Sequence, residues 1–301
     1  MSADLLATWF AQFSAHRLAL AHDQTRYQYG LNIRRFGEFL GRDPTLADLR
    51  DENVMGCVGW LVREKKLSLA SASKLRDNIK TLWEYIARKG GIRVWPELPH
   101  IQEPENAPVA LNVRQLTLLW RIAERQPGST CGVPDQLWWT SLLGTMWSSG
   151  ERIEPFKQAT WAEFDLDGGF WIVPAAHRKG GKRGIVHPLH HGAVMLLRQL
   201  HGYGHEQVWP MDFCCGTLYN RLTSIMVCAG LPDDRRFKFH VFRKSVATMI
   251  ELFGGDTTGA IGWRDPTQKD AYVDRTICPR VGPRNYVPFI GDLRPDERLT
   301  G

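Results

Sequence analysis

Residues 150–189 read GERIEPFKQATWAEFDLDGGFWIVPAAHRKGGKRGIVHPL. Within them TWAEFDL, FWIVPA and GIVHPL are rich in aromatic and β-branched residues. They are separated by turn signals, first Gly168 and Gly169, then RKGGKR at 178–183. The pattern predicts three short strands joined by two hairpin turns. On either side, apolar residues return at helical spacing over about 113–125, 134–148, 191–202, 215–229 and 240–253. A small β-sheet set into a mainly α-helical domain follows, an α+β arrangement.

The amino-terminal third has a different texture. Residues 3–20, 23–40, 51–64 and 71–89 each repeat apolar residues with helical period, and in the last Leu75, Ile79, Leu82 and Ile86 line one side. Asp23 and Ser71 are the expected N-caps, and Gly90 and Gly91 stop the fourth helix. This predicts a four-helix domain over 1–92. Residues 93–111, within the proline-bearing IRVWPELPHIQEPENAPVAL, show no period and read as an extended linker. A second domain is expected over 112–272.

The chain has 301 residues, 43% of them hydrophobic and 23% charged, enough for two separate cores. The net charge of +6 points toward a polyanionic partner. Its longest apolar run, LWWTSLLGTMW, is shorter than a membrane span, and Asp4 and Arg17 interrupt the first twenty residues where a signal sequence would be uncharged. A soluble, intracellular protein is the expectation. The six cysteines form no CxxC pair and no Cys/His ligand spacing, so they are expected to be reduced and mostly buried. No phosphate-binding GxxxxGK[ST] loop and no HExxH occurs, and no metal or cofactor is expected.

A phosphate site can instead be built from cations. Candidates are Arg152, Lys179 in the second turn, and His240 with Arg243, which share a helix face at a spacing of three. An arginine presents two donors to two phosphate oxygens, a geometry that lysine lacks. Each residue alone has an ordinary structural reading, as a surface ion pair, a turn lysine or a chance HxxR.

Their order is more specific. GER at 150–152, a hairpin lysine at 179, HxxR at 240–243, then Trp263 and, nine residues later, Tyr272 in IGWRDPTQKDAYVD all follow a basic four-helix domain and a linker. This succession resembles the tyrosine recombinase, or phage integrase, family over nearly the whole chain, with tryptophan at 263 where many members have histidine. FHVFRKSVATMI and KGGKRGIVHPL resemble the family's HxxR helix and its β-hairpin.

The resemblance implies a two-domain, C-shaped DNA clamp, with a four-helix core-binding domain and a mixed α/β catalytic domain. It also implies a tail, 273–301, that docks on a neighbouring protomer of a homotetramer bound to two duplexes. The activity it implies is site-specific recombination. Tyr272 attacks a phosphodiester to give a 3'-phosphotyrosine, and exchange passes through a Holliday junction without ATP, metal or cofactor. A phenol ionises near pH ~10 in water, so the attack needs a proton acceptor and a polarised phosphate. In this reading Arg152 and Arg243 bind the non-bridging oxygens and His240 manages the proton. Lys179 protonates the leaving 5'-oxygen, and Trp263 braces the phosphate. DNA contacts are expected from Arg26, Arg34, Arg35, Lys74, Arg76 and Lys80 in the first domain and from Lys182, Arg183 and Lys244 in the second. Location would be cytoplasmic and nucleoid-associated, in a prokaryote, phage or mobile element.

One position departs from the pattern. The family's acidic residue three places after the first arginine is Pro155 here, with Glu151 and Glu154 as the substitutes within reach. That departure keeps open a DNA-binding relative with impaired catalysis. A second alternative shares the chemistry: another phosphotyrosine-forming enzyme such as a type IB topoisomerase or telomere resolvase, which the compact two-domain length fits less well than an integrase. Tyr286 is the rival nucleophile.

Overall fold

The computed structural model describes residues 5–102, 107–178, 183–261 and 272–273. The chain divides into two compact units, 1–105 and 106–301.

In the first unit, helices α1 (Leu6–Arg17), α2 (Asp23–Leu40), α3 (Asp51–Arg63) and α4 (Leu69–Arg88) surround one core. Leu75, Ile79, Leu82 and Ile86 of α4 are each at most 1% exposed, so the periodic stripe is the buried one. The caps differ from expectation. α2 is capped by His22, whose Nδ1 accepts from the Gln24 N–H at 3.2 Å, while Asp23 is already inside the helix and pairs with Arg26. α4 begins two residues early because Ser68, not Ser71, is the cap; its hydroxyl accepts from the Ser71 N–H at 3.2 Å. Gly90 ends α4 in a left-handed conformation at φ +77°, where a glycine carries no steric penalty.

The proline-bearing segment does not run loose. Trp83 Nε1 donates to the Val94 carbonyl at 2.7 Å, the Glu97 N–H donates to Asp51 Oδ1 at 3.2 Å, Arg76 donates to the Pro99 carbonyl, and Leu98 is buried. Residues 94–99 therefore lie extended along α3 and α4 as part of the first unit.

The second unit contains α5 (Val113–Ala123), β1 (Ser129–Thr130), β2 (Val133–Pro134), α6 (Asp135–Ser149) and α7 (Ile153–Gln158). It continues with β3 (Phe164–Asp165), β4 (Phe170–Val173), β5 (Ile185–Pro188), α8 (His191–His201), α9 (Cys215–Cys228), α10 (Phe239–Leu252) and α11 (Thr257–Ile261). β3, β4 and β5 form one antiparallel sheet in that order. Trp171 and Val173 of β4 face the core while Phe170 and Ile172 face outward, the alternation of a one-sided sheet. β3 is shorter than TWAEFDL suggests, since Trp161–Glu163 turns in a 3₁₀ conformation closed by a Thr160/Glu163 capping box. The β1–β2 ribbon, absent from the periodic reading, is a tight turn with Cys131 and Gly132 at positive φ.

α6 is buried almost all round, with Trp138, Trp139 and Trp147 each at most 1% exposed, and so forms the axis of the unit. The cysteines correct the sequence expectation. Cys57 is buried and Cys131 half-buried, but Cys214, Cys215 and Cys228 are exposed, all five as thiols. Cys278 lies outside the described residues. Among the described residues no helix is long and apolar enough to cross a membrane, and no His/Cys/Asp/Glu group could hold a metal ion.

Candidate active site

The end of α6 builds one wall of the site. Gly150 takes φ +58°, and a β-carbon there would meet Val246 Cγ1 of α10 at 3.1 Å, so conformation and space both call for glycine. The reversal at Gly150 turns its carbonyl toward α10, where Arg243 Nη1 donates to it at 2.7 Å. It also sends the next side chain, Glu151, inward to 1% exposure. Arg152 then caps α7, with its side chain about a third exposed at 34%.

α10 supplies the facing wall. Phe239, Phe242 and Val246 bury it in the core, which leaves His240 and Arg243 three residues apart on the side toward α6 and α7. Both meet Tyr272. The His240 and Tyr272 rings lie edge to face with centroids 5.2 Å apart. The Arg243 guanidinium sits 5.6 Å from the tyrosine ring centre, and Arg152 Nη2 donates toward the phenolic oxygen at 3.5 Å. Val273, fully buried, pins the backbone beside the half-buried tyrosine.

Charge is concentrated around Glu151. Its carboxylate accepts from Arg178 Nε at 3.0 Å, the Arg152 N–H at 2.8 Å and Arg243 Nη1 at 3.5 Å, and His187 Nε2 lies 3.5 Å from it. Burial would raise its pKa, but His187, Arg243, the Arg152 N–H and Arg178 together outweigh that and hold it at about 2. Burial lowers the Arg243 pKa, the neighbouring Glu151 opposes the shift and the nearby Arg152 adds to it. His240 keeps an exposed edge, yet desolvation of its ring and the charges of Lys244, Arg243 and Arg152 push it down to about 4. The imidazole is therefore neutral at pH 7 and able to accept a proton, with its pKa well below the ordinary histidine value of 6.5.

Helix order, the sheet and this cluster can be set beside known structures. The sequence matches no protein-family model and no curated protein. Solved structures do match. A lambda integrase dimer bound to a COC' core site is 17% identical over 94% of this chain and 81% of that one, with a TM-score of 0.71. The Tn1549 transposon integrase in complex with a circular intermediate DNA is 12% identical, covering 90% and 95%, at a TM-score of 0.68. XerH site-specific recombinase bound to a palindromic difH substrate is 17% identical, covering 85% and 77%, at 0.67. The chain has the tyrosine recombinase fold. At these identities the likeness carries the fold alone, and the site rests on its own geometry.

On that recombinase fold, the positions predicted from sequence separate into groups. Arg152, His240, Arg243 and Tyr272 come together. Lys179, Lys182, Trp263 and Tyr286 lie outside the described residues, as does the tail beyond Val273. Arg183 is exposed at the base of the β4–β5 hairpin, and Lys244 is half-buried beside Arg243. In the first unit Arg34 and Lys74 are exposed, and Arg35 and Lys80 half-buried. Two cations are committed to structure. Arg26 donates to the Leu18 and Ala19 carbonyls at 3.0 and 2.6 Å, and Arg76, 7% exposed, bonds Asp77 and the Pro99 carbonyl.

Two members of the cluster escaped the sequence reading, Arg178 and His187. His187 left a signal, because it is a polar residue at an inward-facing strand position opposite Trp171 and is 1% exposed. Arg178 left none, since a cation in a lysine-rich turn looks like any other.

Proposed function

We propose that the protein is a site-specific DNA recombinase that cleaves and rejoins strands through a 3'-phosphotyrosine. The observation that carries this reading is the convergence of Arg152, His240 and Arg243 on the Tyr272 side chain, in a chain with the tyrosine recombinase fold. Tyr272 attacks the phosphorus, neutral His240 accepts the phenolic proton, and the two guanidinium groups hold the non-bridging oxygens as negative charge builds. The 5'-oxygen departs as a hydroxyl, its proton supplied by Lys179, and Trp263 donates its indole N–H to a phosphate oxygen. The phosphotyrosyl bond keeps the energy of the broken phosphodiester. A second 5'-hydroxyl can therefore reverse the step, and two rounds pass through a Holliday junction.

The assembly in this reading is a homotetramer on two duplexes, with residues 1–92 as core-binding domain, 112–272 as catalytic domain and the tail 273–301 on a neighbour. Arg34, Arg35, Lys74 and Lys80 carry DNA contacts in the first domain, with Lys182, Arg183 and Lys244 in the second. Such work belongs in the cytoplasm, on the nucleoid. The test is covalent capture. The protein is incubated with sheared genomic DNA of its source, and denaturant-stable adducts are isolated and sequenced to find the cleavage site. That site is then rebuilt as a nicked duplex that traps the intermediate. Wild type should form the adduct and Tyr272→Phe should not; an adduct with Tyr272→Phe, or none with wild type, rejects the assignment.

A further inference from the structure

We propose that Glu151 is the positioning carboxylate of this site, replacing the acid that position 155 lacks, and that through Arg178 it ties Arg243 to the base of the β4–β5 hairpin. The inference rests on the proposed function.

Of the two glutamates near Pro155, Glu154 is on the surface, with its side chain 58% exposed and paired to Lys157 at 2.6 Å. Pro155 is itself buried in α7 and brings no charge. Glu151 is 1% exposed, and its two oxygens are shared among Arg178, His187, Arg243 and the Arg152 N–H. A carboxylate one residue before Arg152 reaches this place because Gly150 reverses the chain and Ser149 Oγ accepts the Glu151 N–H at 3.2 Å. Without it, Arg152, Arg178 and Arg243 would lose the buried carboxylate whose charge they share.

The link to the hairpin is direct. Arg178 spans the gap, with Nε on Glu151 Oε2 at 3.0 Å and Nη1 donating to the Arg183 carbonyl at 3.3 Å, across the two ends of the turn. One carboxylate thus sets both the guanidinium that meets Tyr272 and, through Arg178, the Arg183 carbonyl between β4 and β5. Glu151 touches no reacting atom in this scheme and acts through its partners.

The experiment uses the full chain and the nicked duplex recovered by covalent capture. It reads three quantities: the single-turnover rate of adduct formation, the affinity for the intact duplex, and the melting temperature. Glu151→Gln keeps the shape and removes the charge. It should slow adduct formation about 100-fold, the scale of a small misplacement of reacting groups, with duplex affinity held within about threefold. Glu151→Asp should keep the rate within about tenfold of wild type, since the charge is restored with a shorter reach. Arg178→Met should slow the step too, and adding it to Glu151→Gln should cost little more, because the two act through one contact.

Wild-type rates in Glu151→Gln would overturn the proposal, and so would full multiplication of the two losses in the double variant. If Glu151→Gln does not fold, the Asp and Met variants decide by the same rate and affinity readings. Absence of adduct with wild type overturns the recombinase reading and this inference with it. Cleavage by wild type and by Glu151→Gln alike overturns only the inference.

Discussion

His240 is neutral at neutral pH because three cations and a desolvated ring disfavour its protonated form. The sign of its effect on folding follows. An unfolded chain binds this proton near the ordinary 6.5, the folded one only near 4, so the residue costs stability progressively as pH falls through that window. NMR titration of the DNA-free protein should place the His240 midpoint well below 6.5. A bound duplex should raise it, since phosphate offsets the neighbouring cations; a midpoint of about 6.5 without DNA would contradict the electrostatic account. Glu151 acts in the same direction at lower pH, since its folded pKa is also depressed. Its pKa falls from 4.5 to about 2 on folding, a contribution of about 3 kcal/mol that is present above pH 4.5 and lost as pH drops toward 2. The stability gap between wild type and Glu151→Gln, measured by urea unfolding, should shrink by roughly 1 kcal/mol between pH 7 and about pH 3.5.

At the scale of elements, the junction of α6 and α7 matters most, because one glycine reversal aims a carbonyl at Arg243, a carboxylate into the core and Arg152 at Tyr272. Gly150→Ala should destabilise the second unit by at least about 1–2 kcal/mol, the cost of a left-handed non-glycine residue, before any displacement of Val246. A urea midpoint equal to wild type would show that the turn relaxes freely. In the first unit the cap of α4 is Ser68, so Ser68→Ala should cost about 1 kcal/mol. The sequence misplaced both caps for one reason: Ser, Asp and His near a helix start compete, and the winner depends on where the preceding loop enters. The stripe on α4 and the alternation in β4 were legible, since each is a repeated period averaged over several residues.

At the scale of the molecule, each of the two units carries its own apolar core, and the chain holds a net charge of +6. If the protein binds duplex DNA as proposed, affinity should fall linearly in a log–log plot against salt. Arg34→Ala or Lys74→Ala should each lower that slope by about 1. Arg76→Ala should leave the slope unchanged and instead destabilise the first unit by about 1–3 kcal/mol, because its guanidinium holds Asp77 and the Pro99 carbonyl. A slope change in Arg76→Ala with unaltered stability would reverse that distinction.

Reading residues in order was enough for the helical and strand periods, the two-part chain, and the candidacy of Arg152, His240, Arg243 and Tyr272, because these rest on local spacing and on the ordered succession of residue types. It gave equal standing to Glu151 and Glu154, grouped Arg26 and Arg76 with exposed cations, and passed over Arg178 and His187. Those assignments depend on which side chains meet across long stretches of chain: Glu151 with Arg178, His187 and Arg243, and Arg76 with Pro99. Burial and the sharing of one carboxylate among several donors arise only when α6, the hairpin and α10 have packed together, so no local period records them.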